Sequence, residues 1–411
     1  MKKEMYKKPE LLAPAGDFSM LNAAINNGAD AVYFGVENLN MRAMAENFKI
    51  SDLPEIVKLC KKKNVSTHLT LNTIIYENEL NKVDEIISNA KEAGIDMIIC
   101  WDLSVIGKCR EHGMPYCIST QASISNSEAA KFYKGLGAKR VVLARECTLD
   151  KIIEIKNKVD IDIETFVHGA MCVAISGRCF MSHEVFGKSA NRGECIQPCR
   201  REYEIVDKDE KFSLVIGEDY VLSPKDLCTI EFIDKLIEAK IDAFKIEGRK
   251  RSPEYIAKVV SVYRRAIDLY FENKLTGERK KEFVEELRKV YNRGFSPGFY
   301  FGEPDSESYA AIYGSIASTR KVYLGKVLNY YKRKRIVNVR IEAGTLNKNE
   351  SIYIIGSTTG VVELVIDKMM RDETEITSTE KGTDVTFECS ERVRENDKVY
   401  KIAKPEIDYF H

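Results

Sequence analysis

Four cysteines fall within residues 168–199, "HGAMCVAISGRCFMSHEVFGKSANRGECIQPC", spaced Cys172-x6-Cys179-x15-Cys195-x3-Cys199, and a fifth, Cys228, follows "LSPKDL". Eleven cysteines in a chain of 411 residues do not read as a disulfide framework, which belongs to small secreted domains. Metal or redox chemistry is the expectation. Four thiolates suit tetrahedral zinc or an iron–sulfur cluster, both soft-ligand sites. Structural zinc usually shows two close cysteine pairs, and only one pair is close here, which favours iron–sulfur; zinc and redox-paired thiols stay open. Cys60, Cys100, Cys109, Cys117 and Cys147 share no such spacing and, like Cys389, are expected in cores.

The zinc-hydrolase motif H-E-x-x-H is missing, and of five histidines His411 is terminal and His68 falls in a predicted strand. A clustered thiol paired with His168 or His183 would make a cysteine protease, but a thiol bound to iron is not a free nucleophile. Glu164 and His168 lie on the strand leading into the cysteines, where either could assist proton transfer. Arg42, Arg145 and Arg249 occur at or just after predicted strand ends, the position from which a side chain enters a barrel mouth. Pairing with a carboxylate such as Glu146 or Glu247 is the structural alternative for each. In "YYKRKR", Lys332, Arg333, Lys334 and Arg335 stand beside two tyrosines, a composition suited to phosphate contact and base stacking or to a solvated hairpin tip.

The elements that must position these residues come from hydrophobic period. Short apolar runs alternate with amphipathic stretches: "ELLAPAG", "DAVYFGV", "STHLTLN", "DMIIC", "YCIST", "RVVLAR", "IETFVHG" and "DAFKIEGR" read as strands, with helical patterns between them. That predicts an α/β fold, a (β/α)8 TIM-barrel-like N-terminal domain over residues 1–300 with a cysteine-rich insertion at about 168–228. "YVLSPKDL" is a ninth candidate for eight places, so one strand must be accessory. The Gly/Pro/Ser-rich segment 301–319 reads as a linker, and the alternating runs of 320–411 as a small C-terminal antiparallel β-barrel.

Net charge is zero, so whole-molecule attraction to nucleic acid is not indicated, although a neutral total can conceal a basic face. The N-terminal stretch has no apolar signal core, and no run approaches the ~18 apolar residues of a membrane span. A cytoplasmic location without membrane attachment is expected.

"ELLAPAGDFSMLNAAINNGADAVYFGVENLNMRA", "ETFVHGAMCVAISGRCFMS", "NRGECIQPCRREY", "LSPKDL" and "FKIEGR" together resemble the U-32 peptidase family, the collagenase-like proteases, over almost the whole chain. The resemblance implies one of two activities: collagen-type proteolysis, or oxygen-independent hydroxylation of tRNA, ribosomal RNA or a quinone precursor by a 4Fe-4S protein. Chain length and the C-terminal domain are most similar to the tRNA branch, which implies 5-hydroxyuridine formation at the wobble position. It further implies prephenate as co-substrate, tRNA as partner and a second subunit of the same family as a further one. The cluster ligands it implies are Cys172, Cys179, Cys195 and Cys228, with Cys199 as a fifth candidate, and Arg42, Arg145 and Arg249 would hold the dicarboxylate. Another RNA target or a metal-binding partner subunit are the remaining alternatives.

Overall fold

The computed structural model describes residues 6–37, 39–43, 46–201, 203–206, 213–216, 220–310 and 314–405. Eight parallel strands close on themselves: β1 (Glu10–Pro14), β2 (Ala31–Phe34), β3 (Ser66–Leu71), β4 (Met97–Cys100), β5 (Tyr116–Ile118), β6 (Arg140–Val142), β7 (Asp162–Gly169) and β8 (Ala243–Ile246). Each pairs with its neighbour in chain order, and β8 pairs with both β7 and β1 to complete the ring. The strands are buried on both faces, as a parallel barrel wrapped in helices requires.

Helices begin where a short polar side chain can take a free backbone N–H. Asp17 caps α1 (Phe18–Asn26) by accepting from the Met20 N–H at 2.7 Å. Asn126 does the same for the helix Ser127–Gly135, accepting from Ala129 at 2.9 Å. The long helix Pro253–Phe271 lays Tyr255, Ile256, Val259, Val260, Tyr263, Ala266, Ile267 and Tyr270 against the barrel, an i, i+3, i+4 stripe.

The ninth strand candidate stays outside the ring. Asp226–Cys228 runs antiparallel to the end of β7, pairing Leu227 with Gly169 and Cys228 with His168, and carries the short strand Phe295–Ser296 on its other edge. Segment 301–319 is more than a connector: Tyr309–Ala310 pairs with Tyr220–Pro224 of the insertion. The reason is local, since Tyr220–Pro224 would otherwise present unpaired backbone groups beside the mouth.

Beyond it, eight antiparallel strands wrap a separate core that includes Leu324, Val327, Val339, Ile352, Ile354, Phe387 and Val399. This domain rests on the outside of the barrel. Asn22 Nδ2 donates to the Ser357 carbonyl at 2.8 Å, Lys258 pairs with Glu363 at 2.9 Å and Lys321 with Glu254 at 2.9 Å. Among the described residues no helix is long and apolar enough to cross a membrane.

Candidate functional site

The insertion folds back over the C-terminal mouth of the barrel. Two glycines permit the approach. Gly169, with φ of 107°, ends β7 where a Cβ would collide with the Glu247 carbonyl. Gly193, with φ of 84°, lies where a Cβ would strike the backbone of Asn40 and Ala43. Arg192 ties the loop to Glu79 and the Ile74 carbonyl, Ser176 Oγ meets Ser123 Oγ at 2.9 Å, and Lys250 Nζ donates to the Cys195 carbonyl at 2.9 Å.

Beneath this roof lies a cavity of about 510 Å³, a size that suits a small molecule or one nucleotide. Seven arginines and lysines line it against two glutamates, Glu146 and Glu247, so it favours anions. Arg42 pairs with Glu247 at 2.8 Å, and the Tyr33 hydroxyl donates to the same carboxylate at 3.2 Å. Arg249, almost wholly buried, donates to Asn40 Oδ1 at 3.0 Å and Thr70 Oγ1 at 3.1 Å. Arg145 donates to the Ala170 carbonyl at 2.6 Å, with its guanidinium 3.8 Å from the centre of the Phe166 ring.

Electrostatics agree with the geometry. Burial pushes the Glu247 carboxyl up, but Arg42, Arg145 and Arg249 outweigh it and hold the group at about 2. Burial, reinforced by Arg42, brings Arg249 down to about 10, so the cations are incompletely compensated. All three arginines singled out from the sequence therefore meet in one cavity, although Arg145 does not pair with Glu146.

The thiols of Cys172, Cys179, Cys195 and Cys199 open on that same cavity. Burial raises the Cys199 thiol above its ordinary value; Arg200 pulls it back, and Cys172, Cys195 and Cys179 push it up again, which marks the four as electrostatic neighbours. The Met181 N–H points at Cys179 Sγ at 3.3 Å and the Ser182 hydroxyl at Cys195 Sγ at 3.8 Å. Arg42 is raised chiefly by Glu247 and also by Cys172, which brings the thiol group beside the arginine wall.

Cys228, expected as the fourth ligand, lies apart from these four and does not line the cavity. It is buried behind β7 with the Tyr263 hydroxyl 4.0 Å from its sulfur, and burial lifts its thiol to about 12. Antiparallel pairing of Asp226–Cys228 with β7 directs it to the outer helix Pro253–Phe271. Among the described residues, no three His, Cys, Asp or Glu side chains stand close enough to share a single metal ion.

Glu164 and His168 do not line the cavity. Glu164 is enclosed deeper in the barrel, held by Lys245 at 2.7 Å and Arg140 at 3.2 Å, and these cations offset the burial that would raise its carboxyl. His168 should share the inward face of Glu164 and Phe166 by strand period. The register slips between Lys245 and Ile246 of β8, leaving Val167 without a partner residue there and turning His168 outward among Tyr255, Tyr263 and Phe295. Burial brings its imidazole down to about 4. Neither residue is placed to reach a substrate in the cavity.

Sequence reading missed several residues there: Tyr33, Lys245, Lys250 and Arg251, the neutral wall of Asn72, Ser119 and Gln121, and Ser308 and Tyr309 from the segment taken as a linker. The run "KIEGRKR" at the end of β8 was a signal, since a barrel strand end so rich in cations faces the mouth. Lys332, Arg333, Lys334 and Arg335 form the exposed turn between the strands Arg320–Tyr331 and Ile336–Ile341, on the other domain.

A closed parallel barrel whose cysteine-rich insertion roofs a cationic cavity at the C-terminal mouth defines a (β/α)8 protein with the architecture of barrel enzymes. The chain belongs to peptidase family U32, whose sequence profile matches residues 16–310. It is 42% identical to an uncharacterized protease of Methanocaldococcus jannaschii, over 96% of this chain and 98% of that one. A collagenase of Porphyromonas gingivalis is 40% identical over 97% of this chain and 98% of its own length. The tRNA hydroxylation protein P1 of Bacillus subtilis is 38% identical over 86% of this chain and 85% of its own.

Proposed function

We propose that this protein hydroxylates RNA, converting the wobble uridine of tRNA to 5-hydroxyuridine, with prephenate as the source of the hydroxyl and a 4Fe-4S cluster on Cys172, Cys179, Cys195 and Cys199. The observation that carries the reading is the convergence of four thiols and a net-cationic wall on one cavity. Four thiols that are electrostatic neighbours offer the soft donor set that an iron–sulfur cluster takes. When bound, such a cluster supplies one-electron redox chemistry.

The chain's own residues do the rest. Arg42, Arg145 and Arg249 offer planar donor forks for a dicarboxylate. Glu247 and Tyr33 fix the Arg42 fork in place. Phe166, Ile99 and Phe299 supply apolar wall that excludes water. The relative named for tRNA hydroxylation supports this reading, and the relative named collagenase raises proteolysis beside it. Against a thiol protease, among the described residues no histidine lines the cavity to activate a thiol. His183 is exposed and faces Glu184 at 3.5 Å.

The deciding experiment is mass spectrometry of tRNA nucleosides from a deletion strain with and without the restored gene. Loss and recovery of 5-hydroxyuridine supports the proposal. Unchanged 5-hydroxyuridine overturns it.

A further inference from the structure

Arg200 is a cation of the cavity wall with no part in the dicarboxylate site. It follows Cys199 directly, is more than nine-tenths buried and lines the cavity. Its guanidinium holds three oxygens, none of them charged. Nη2 donates to the Met171 carbonyl, and Nη1 to Ser223 Oγ at 3.1 Å and the Pro224 carbonyl at 3.4 Å, while Nε is buried without a partner. Among the described residues no carboxylate pairs with it, since Asp226, the buried carboxylate of that region, is taken by Arg293.

A guanidinium keeps its proton in proteins, and a buried charge is ordinarily paired. The uncompensated groups beside this one are thiols. The Met171 carbonyl that it grips precedes Cys172, and its own backbone follows Cys199, so one side chain ties two of the four cavity cysteines to the strand Tyr220–Pro224. Burial, seconded by Arg293, lowers the Arg200 guanidinium from its ordinary value; Cys199, Cys172 and Asp226 pull it back, the two thiols ahead of the carboxylate. Arg42, by contrast, has Glu247 as its counter-charge.

Resting on the iron–sulfur reading of the four thiols, we propose that Arg200 is a positioning residue for Cys172 and Cys199 that also supplies the counter-charge of the cysteine-bound cluster and so raises its reduction potential. Ligating cysteines are thiolates, which makes such a site anionic. Taking up one electron adds one negative charge to it, with no bond made or broken. A buried cation beside the ligands favours that reduced form, and net charge and hydrogen bonding around the sulfurs are among the quantities that set cluster potentials.

The test is a reductive titration of the full chain, reconstituted anaerobically with iron and sulfide, with dithionite as the electron donor and visible absorption and electron paramagnetic resonance as readouts. Arg200→Gln should lower the midpoint, changing the reduced-to-oxidised ratio at a fixed potential by on the order of tenfold, about 59 mV for one electron. Arg200→Lys, which keeps the charge, should stay near the parent. Ser223→Asp should also lower the midpoint, because it sets a carboxylate beside Nη1 while the guanidinium remains. It decides the matter where Arg200→Gln fails a melting control or loses its iron. Loss of packing alone would move Arg200→Lys together with Arg200→Gln and spare Ser223→Asp. That pattern, or midpoints of Arg200→Gln and Ser223→Asp equal to the parent's, overturns the role of Arg200. A parent that takes up no iron and sulfide overturns the iron–sulfur reading and this role together. The expected shifts in a protein forming no 5-hydroxyuridine keep the role and overturn the hydroxylation reading instead.

Discussion

Replacing Glu247 by glutamine should weaken the fold and strengthen anion binding at the same site. The carboxylate is 13% exposed and lies 2.8 Å from Arg42. Its ionisation is held from an ordinary 4.5 down to about 2, by three arginines acting against burial. At about 1.4 kcal/mol per pH unit, that corresponds to about 3 kcal/mol of stability near neutrality. Removing one partner of a buried ion pair typically costs about 3–5 kcal/mol, the same range. The folded value lies below the unfolded one, so this contribution is complete above about 4.5 and is lost as pH falls towards about 2. Urea titrations of parent and Glu247→Gln at several pH values measure it: the gap should be full at pH 7 and narrow steadily below about 4.5. The uncompensated Arg42, Arg145 and Arg249 should meanwhile bind prephenate more tightly in calorimetry. Equal urea midpoints at neutral pH, or a gap that ignores pH, would refute the account of Glu247 as counter-charge to the arginine wall.

Further outcomes are expected. Cys172→Ala, Cys179→Ala, Cys195→Ala and Cys199→Ala should each lose iron and sulfide after anaerobic purification, whereas Cys228→Ala, behind β7, should keep both; the reverse behaviour of Cys199 and Cys228 would sink the revised ligand set. Arg249→Lys should keep iron but raise the KM for prephenate, because an ammonium lacks the planar guanidinium fork offered to a carboxylate. His168 is held at about 4 by burial, so the unfolded chain binds its proton first and stability is lost as pH falls from 6.5 towards about 4. His168→Phe should flatten the stability profile in that window by up to about 3 kcal/mol, read by urea titration, and should leave any activity–pH profile unmoved. Serine at Lys332, Arg333, Lys334 and Arg335 should lower the slope of log affinity for tRNA against log salt by about one unit per lost phosphate contact; an unaltered slope would move the RNA contact to the barrel mouth alone.

The amino-acid sequence determines the barrel because period is a local property. Alternating apolar runs and amphipathic stretches locate all eight ring strands, and the cysteine spacing locates the insertion at the end of β7, where a barrel presents its chemistry. The three arginines were legible for the same reason: a strand end has a known direction. Registry and crossing were not legible. Which candidate strand stays outside the ring depends on Asp226–Cys228 finding the edge of β7 antiparallel, a contact between segments about sixty residues apart in sequence. That pairing turns Cys228 outward and leaves the cavity to Cys199. A one-residue slip between β7 and β8 reverses the facing of His168, and period alone carries no trace of it. The Gln121 wall escaped notice because neutral amides and hydroxyls are common everywhere in a sequence. Only the tertiary structure brings Met41, Asn72 and the Ser119–Gln121 loop, from three strand ends, into one hydrogen-bonded wall.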